Sequence, residues 1–146
     1  MTKLIRVAVG TLVAAGLAFA SASAAEHKLK AALSTGAEVP PVTGPGKGSA
    51  ELTLNDATKE ISWKISFEGL SGDAVAAHIH GPADATANGG VVTNLGGAPG
   101  TPLKSPLEGK ATLTDAQIAD VLAGKTYVNV HTMQNKGGEI RGQIGK

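Results

Sequence analysis

From about residue 28 onward, apolar and polar residues alternate with the period of a strand that buries one face. Leu52 and Leu54 follow Ala50 at every second position, and Ile61, Trp63, Ile65 and Phe67 repeat the pattern around Ser62, Lys64 and Ser66. Asn55 to Lys59 joins these two runs as a hairpin turn, because Asn and Asp accept turn geometry. Val75, Ala77 and Ile79 form a further inward face, and Val91, Val92 and Leu95 a shorter strand. Val128 and Val130 alternate with Tyr127, Asn129 and His131. Ile140 and Ile144 continue the pattern after a second turn, Asn135-Lys136-Gly137-Gly138. Lys28 to Leu33 supplies a first strand. All seven prolines fall outside these runs, as a sheet requires.

One segment has a different period. Thr114-Asp115-Ala116-Gln117 reads as a capping box, with Ile118, Val121 and Leu122 behind it at helical spacing and Gly124 at the C′ position. This predicts a helix within Thr114 to Ala123, too short to persist without packing. The proline-bearing stretches Gly36 to Gly48 and Gly96 to Gly109 read as ordered loops. The expected fold is mostly β: an antiparallel β-sandwich or Greek-key barrel of about seven or eight strands with one short helix.

The chain opens differently. Lys3 and Arg6 precede an apolar run from Val7 to Ala20, and Ser21-Ala22-Ser23-Ala24-Ala25 follows it. That is the layout of a secretory signal peptide over residues 1–25, with cleavage after Ala24 or Ala25. The apolar run is shorter than the ~20 residues a membrane-spanning helix needs, so no span is expected after cleavage. The domain is then residues 26–146, in a periplasmic or secreted setting. Losing Lys3 and Arg6 turns the net charge of +1 into −1. A near-neutral domain argues against nucleic acid as the main partner. The absence of cysteine excludes a disulfide scaffold, a thiol nucleophile and thiolate-held metals.

Chemistry concentrates in the histidines. His78 and His80 stand two apart and so on one face of a strand, with Ile79 pointing to the core. His131 has the matching outward parity on its own strand. Three imidazoles brought together in this way suit Cu or Zn, with a position left open. Asn129, Glu139 and Arg141 share that parity. Asn129 or Glu139 could orient an imidazole as a hydrogen-bond acceptor; as an ordinary strand face, Glu139 and Arg141 would pair across the hairpin. His27 offers a separate Cu(II) site if cleavage leaves Ala25-Glu26-His27 as the terminus, since amine, amides and imidazole can form a square plane. No G-x-S-x-G elbow, Walker motif or dinucleotide glycine pattern is present, so catalysis is not indicated.

Four segments carry a family resemblance: Glu38-Val39-Pro40-Pro41-Val42, Ala77 to Ala83 (AHIHGPA), Gly124 to Thr132 (GKTYVNVHT) and Gly137 to Ile144 (GGEIRGQI). Together they resemble the CHRD, or chordin-type, domain family from about Lys28 to Gly145. The resemblance implies a β-rich secreted or periplasmic domain. In chordin itself such domains occur in tandem within an extracellular growth-factor antagonist; here there is one copy without the cysteine-rich modules, and growth-factor binding is not carried across. A looser resemblance is to Cu/Zn superoxide dismutase, a β-sandwich whose copper ligands include an H-x-H pair and a late histidine. On that analogy His78, His80 and His131 match the copper side. This chain has four histidines and no cysteine, so that enzyme's bridged second metal and its disulfide have no counterpart.

The leading expectation is an exported, non-catalytic binding or structural module with a single candidate metal site, whose partner is an extracytoplasmic protein or small ligand. The alternative is a periplasmic copper-binding protein or copper enzyme built on the three histidines. A third is an adhesion module that pairs through a sheet edge. Intact mass of the exported protein tests the leader directly. The expected species begins at Ala25 or Glu26, and one retaining Met1 outside the cytoplasm would contradict the assignment.

Overall fold

The computed structural model describes residues 25–97 and 100–146, so the expected leader lies, but for Ala25, outside the described residues. The strands are β1 (Glu26–Ser34), β2 (Lys47–Asn55), β3 (Glu60–Glu68), β4 (Ala74–His80), β5 (Val91–Gly96), β6 (Leu107–Thr112), β7 (Tyr127–Thr132) and β8 (Ile140–Gln143). Helix α1 (Asp115–Leu122) lies between β6 and β7. The eight strands form one antiparallel sheet in the order β5-β4-β7-β8-β1-β2-β3-β6. It curls until the edge strands approach, with the Leu107 side chain of β6 against Gly96 of β5. The result is the barrel form of the expected fold. Among the described residues, no helix is long and apolar enough to cross a membrane.

Alternation fills the barrel. Leu29, Ala31 and Leu33 of β1, Ala50, Leu52 and Leu54 of β2, and Ile61, Trp63 and Ile65 of β3 are all buried. The β2–β3 turn is held as its residues imply, with the Asn55 Oδ1 accepting from the amides of Ala57 and Thr58. Trp63 closes the seam. Its Nε1–H donates to the Leu95 carbonyl of β5 at 3.1 Å, joining β3, the neighbour of edge strand β6, to the opposite edge strand of the sheet. Gly109, opposite Trp63 in β6, makes this possible: a Cβ there would sit 2.6 Å from the indole Cζ2.

The helix follows its sequence signals closely. Thr114 Oγ1 accepts from the Gln117 amide and Gln117 Oε1 accepts from the Thr114 amide, completing the capping box. At the other end Gly124 takes φ +70°, Gly124 N–H reaches Val121 O and Lys125 N–H reaches Asp120 O, the paired bonds of a Schellman motif. The Gln117 Nε2 also donates to Val92 O, so the helix cap ties down the β5 edge as well.

Three expectations are corrected. The stretch read as a loop up to Gly109 contains the start of β6, whose sequence Leu-Glu-Gly-Lys-Ala-Thr exposes half of its residues or more and so lacks alternation. In β4 a register shift between Ala74 and Ala76 puts Ala74 in the core and leaves Val75 half-buried, against the regular Val75, Ala77, Ile79 face. The outward side of β7 is not the ordinary, solvated strand face that its alternating polar residues allow; every residue of that strand is buried.

Trp63 provides both packing and a cross-seam hydrogen bond, so Trp63→Ala should cost ~3–5 kcal/mol in a denaturant melt. A loss below about 1 kcal/mol would show that the indole is not a core element.

Candidate metal centre

Strand register builds the site. On β4 and β7, His80 lies opposite Tyr127, His78 opposite Asn129, and Ala76 opposite His131. On β7 and β8, Tyr127 lies opposite Gln143 and Asn129 opposite Arg141. Opposed residues point to the same side, so these polar side chains form one plane on the outside of the barrel while Val128, Val130 and Ile140 fill the inside. His131 falls diagonally beside His78. One ligand nitrogen from each of His78, His80 and His131 lies within 4.8 Å of the others. His131 is buried, whereas His78 and His80 are half-buried.

Hydrogen bonds assign the ring nitrogens. A carbonyl oxygen only accepts, so the Nδ1 of His131, 2.9 Å from Lys136 O, carries a proton, as does the Nδ1 of His80, 3.0 Å from Gly89 O. In the neutral form of each ring the bare nitrogen is then Nε2. The His80 Nε2 is buried and has no hydrogen-bond partner among the described residues. The His131 Nε2 lies 2.9 Å from His78 Nδ1, which donates to it. Burial, with His131 and His80 adding to it, pushes His78 down to about 4. Burial also lowers His131, against the Lys136 carbonyl and together with His80. These two rings are thus neutral at pH 7, the form that binds metal. Three nitrogens around one ion at ~2.0–2.1 Å stand about 3.3 Å apart in a tetrahedral arrangement. With an ion bound, His78 would carry its proton on Nε2 instead of Nδ1, and the 2.9 Å His78–His131 separation would widen by roughly 0.4 Å to that spacing.

A second layer supports the rings. The Tyr127 ring stacks on His80, with centroids 5.1 Å apart and 8° between planes. The Tyr127 hydroxyl accepts from Gly89 N–H, whose own carbonyl holds His80. On Tyr127 lies the Arg141 guanidinium, its Cζ 3.5 Å from the ring centroid. Arg141 is 1% exposed and donates to Asn88 Oδ1, Asp84 O and Ala87 O, which pins the β4–β5 loop over the sheet.

The structure brings the three histidines together and redistributes the supporting roles. Neither Asn129 nor Glu139 hydrogen-bonds an imidazole; the loop carbonyls of Lys136 and Gly89 do. Asn129 Nδ2 points to Gly137 O at 3.5 Å. Glu139 accepts from Ser71 N–H and Oγ–H, Thr132 Oγ–H and Asn135 Nδ2. Burial pushes its carboxyl up, but these bonds outweigh it and hold the group below its usual value. Arg141 serves the loop rather than a cross-strand ion pair. His27 lies apart: its ring Nε2 is 2.9 Å from Asp56 Oδ2, and its backbone is paired in the β1–β2 ladder, which a square-planar chelate would have to break.

Glu38, which the sequence presents only as the start of a family-resembling segment, has a role there that was not read. It is 4% exposed, and burial raises its carboxyl to about 7 despite Arg141, Asn129 and the Val39 amide. It lines a groove of about 460 Å³ with Val39, Pro40, Asn88, Lys136 and Gly138. Its local signal is an acid beside an apolar Val-Pro-Pro-Val run, and nothing local shows that the loop folds over β7.

No curated protein matches the chain, and no solved structure matches it. Residues 29–144 match the CHRD domain. That span contains the three histidines, the loop carbonyls that orient them and the strands that carry them, and the chain belongs to the CHRD domain family.

Proposed function

We propose that the protein is an exported, single-domain binding module whose working part is a metal site made by His78, His80 and His131, holding one copper or zinc ion. The observation that carries this reading is the buried Nε2 of His80, unpartnered among the described residues and within a cluster of imidazole nitrogens no more than 4.8 Å apart. A buried polar atom without a partner is costly and calls for a ligand. Two of the three rings have their tautomer fixed by carbonyls outside the ligand set, the usual support for a histidine ligand. Export is supported by the leader-like residues 1–25 and by the family's association with secreted proteins. The module's partner is an extracytoplasmic protein or small ligand. A copper carrier or copper enzyme is the second reading, favoured by the half-buried His78 and His80, which leave the cluster reachable from solvent.

Cu(II) and Zn(II) calorimetry on a protein beginning at Glu26, which lacks the N-terminal chelate, tests the site. One ion per chain is expected. Each of His78→Ala, His80→Ala and His131→Ala should weaken binding by roughly 100-fold, since two rings do not enforce the geometry. Bound at 100 times its Kd, the ion should also stabilise the fold by about 2.7 kcal/mol. Unchanged affinity in all three variants, or no binding tighter than ~100 μM in the parent, refutes the reading.

Acid should destabilise the metal-free fold through these rings. His78 sits at about 4 when folded against 6.5 when unfolded, so between those values the unfolded chain holds more protons and stability falls as pH falls. Glu38 acts oppositely: its folded value, about 7, exceeds 4.5, so its contribution is full below 4.5 and is lost as pH rises to 7. Between pH 4.5 and 6.5 the two slopes oppose. Glu38→Gln should therefore make acid destabilisation steeper, and His78→Ala should make it shallower, in urea midpoints at pH 7.5 and 5.5. The reverse order would contradict the assignment.

A further inference from the structure

Resting on the metal-site reading, we infer that this centre binds its ion together with a small anion, taken from solution into the coordination position that the three histidines leave open. The argument is one of charge. Among the described residues the cluster consists of three imidazoles, and no carboxylate belongs to it. Glu139 is occupied by Ser71, Thr132 and Asn135 instead. A divalent ion on neutral ligands therefore keeps its full charge. The Born cost of burying that charge scales with its square, about four times that of a monovalent ion.

The surroundings raise the charge further. Arg141, Tyr127 and His80 form a column, guanidinium on phenol ring and phenol ring on imidazole, so a buried cation stands two layers behind one of the ligands. Glu38 interacts with Arg141, but burial pushes its carboxyl up to about 7, and near neutral pH it offsets that cation only in part. The side facing solvent is open enough for a small ligand, because His78 and His80 are half-buried. Buried charge is retained when it is paired. The partner of matching size and sign is a monodentate anion: hydroxide, a halide, a pseudohalide or the end of a small carboxylate.

Azide is a suitable probe, because its charge-transfer band appears only when it is bound to Cu(II). The protein beginning at Glu26, loaded with one Cu(II), is titrated with sodium azide and, separately, with pyridine as a neutral ligand of comparable basicity. A single azide per copper is expected, with half-saturation at millimolar concentration or below. Pyridine should need at least roughly ten times more, since it cannot offset the charge. Starting at Glu26 removes the N-terminal chelate through His27, which would otherwise hold the copper in a filled plane and hide the azide band. A copper-loaded protein that shows no azide band, or that takes pyridine as readily as azide, overturns the inference and leaves the metal site standing. A protein that binds no copper overturns both.

Discussion

Strand β7 is buried on both faces, and much of the molecule is arranged around that fact. Its inward residues, Val128 and Val130, belong to the barrel core. Its outward residues, Tyr127, Asn129 and His131, are covered as completely, although they are polar. Polar groups removed from water must find partners within the protein. The β4–β5 loop, the β7–β8 hairpin and the segment at Glu38 supply some of them, largely as backbone carbonyls. A solvated face would leave the histidines mobile and hydrated. Coverage by loops fixes their tautomers and keeps two of the rings neutral.

The same covering layer couples parts of the chain that are remote in sequence. Arg141 holds Asp84 and Ala87 by their carbonyls and Asn88 by its side chain. Asn88 in turn donates to Val39 O, linking the loop to the segment that carries Glu38. Gly89, the next residue, orients His80. One buried guanidinium thus organises the loop that completes the histidine cluster. That explains why so long a cation is worth burying on a face with no carboxylate paired to it by a salt bridge: three oxygens and an aromatic ring replace its hydration.

Legibility in the sequence followed how local each determinant is. β2 and β3 were readable because their apolar residues alternate without interruption, and α1 because its capping residues bond within four positions of one another. β6 was not, since its partner β3 and the Trp63 ring define it more than its own side chains do. The bulge in β4 escaped notice because a register shift leaves no compositional mark. For the site, the H-x-H pair and the parity of His131 were enough to group the three histidines. Their orienting partners were assigned to Asn129 and Glu139, the nearby polar side chains. The groups actually present are the carbonyls of Lys136 and Gly89, which any residue could supply, so no residue type announces them. Glu38 belongs with these, since its burial comes from a long-range approach of its loop.

The side-chain closure at the seam bears on how the domain behaves among other copies of itself. A barrel that stops short of full hydrogen-bonded closure keeps two strand edges, and such edges are templates for edge-to-edge aggregation. In β5 the carbonyls of Leu95 and Val92 are already taken by the Trp63 indole and the Gln117 amide. A neighbouring strand that sought to extend the sheet there would have to displace an indole packed into the core and a side chain that also caps a helix. Crowded, newly folded chains of this domain thus meet with one edge plugged by their own interior.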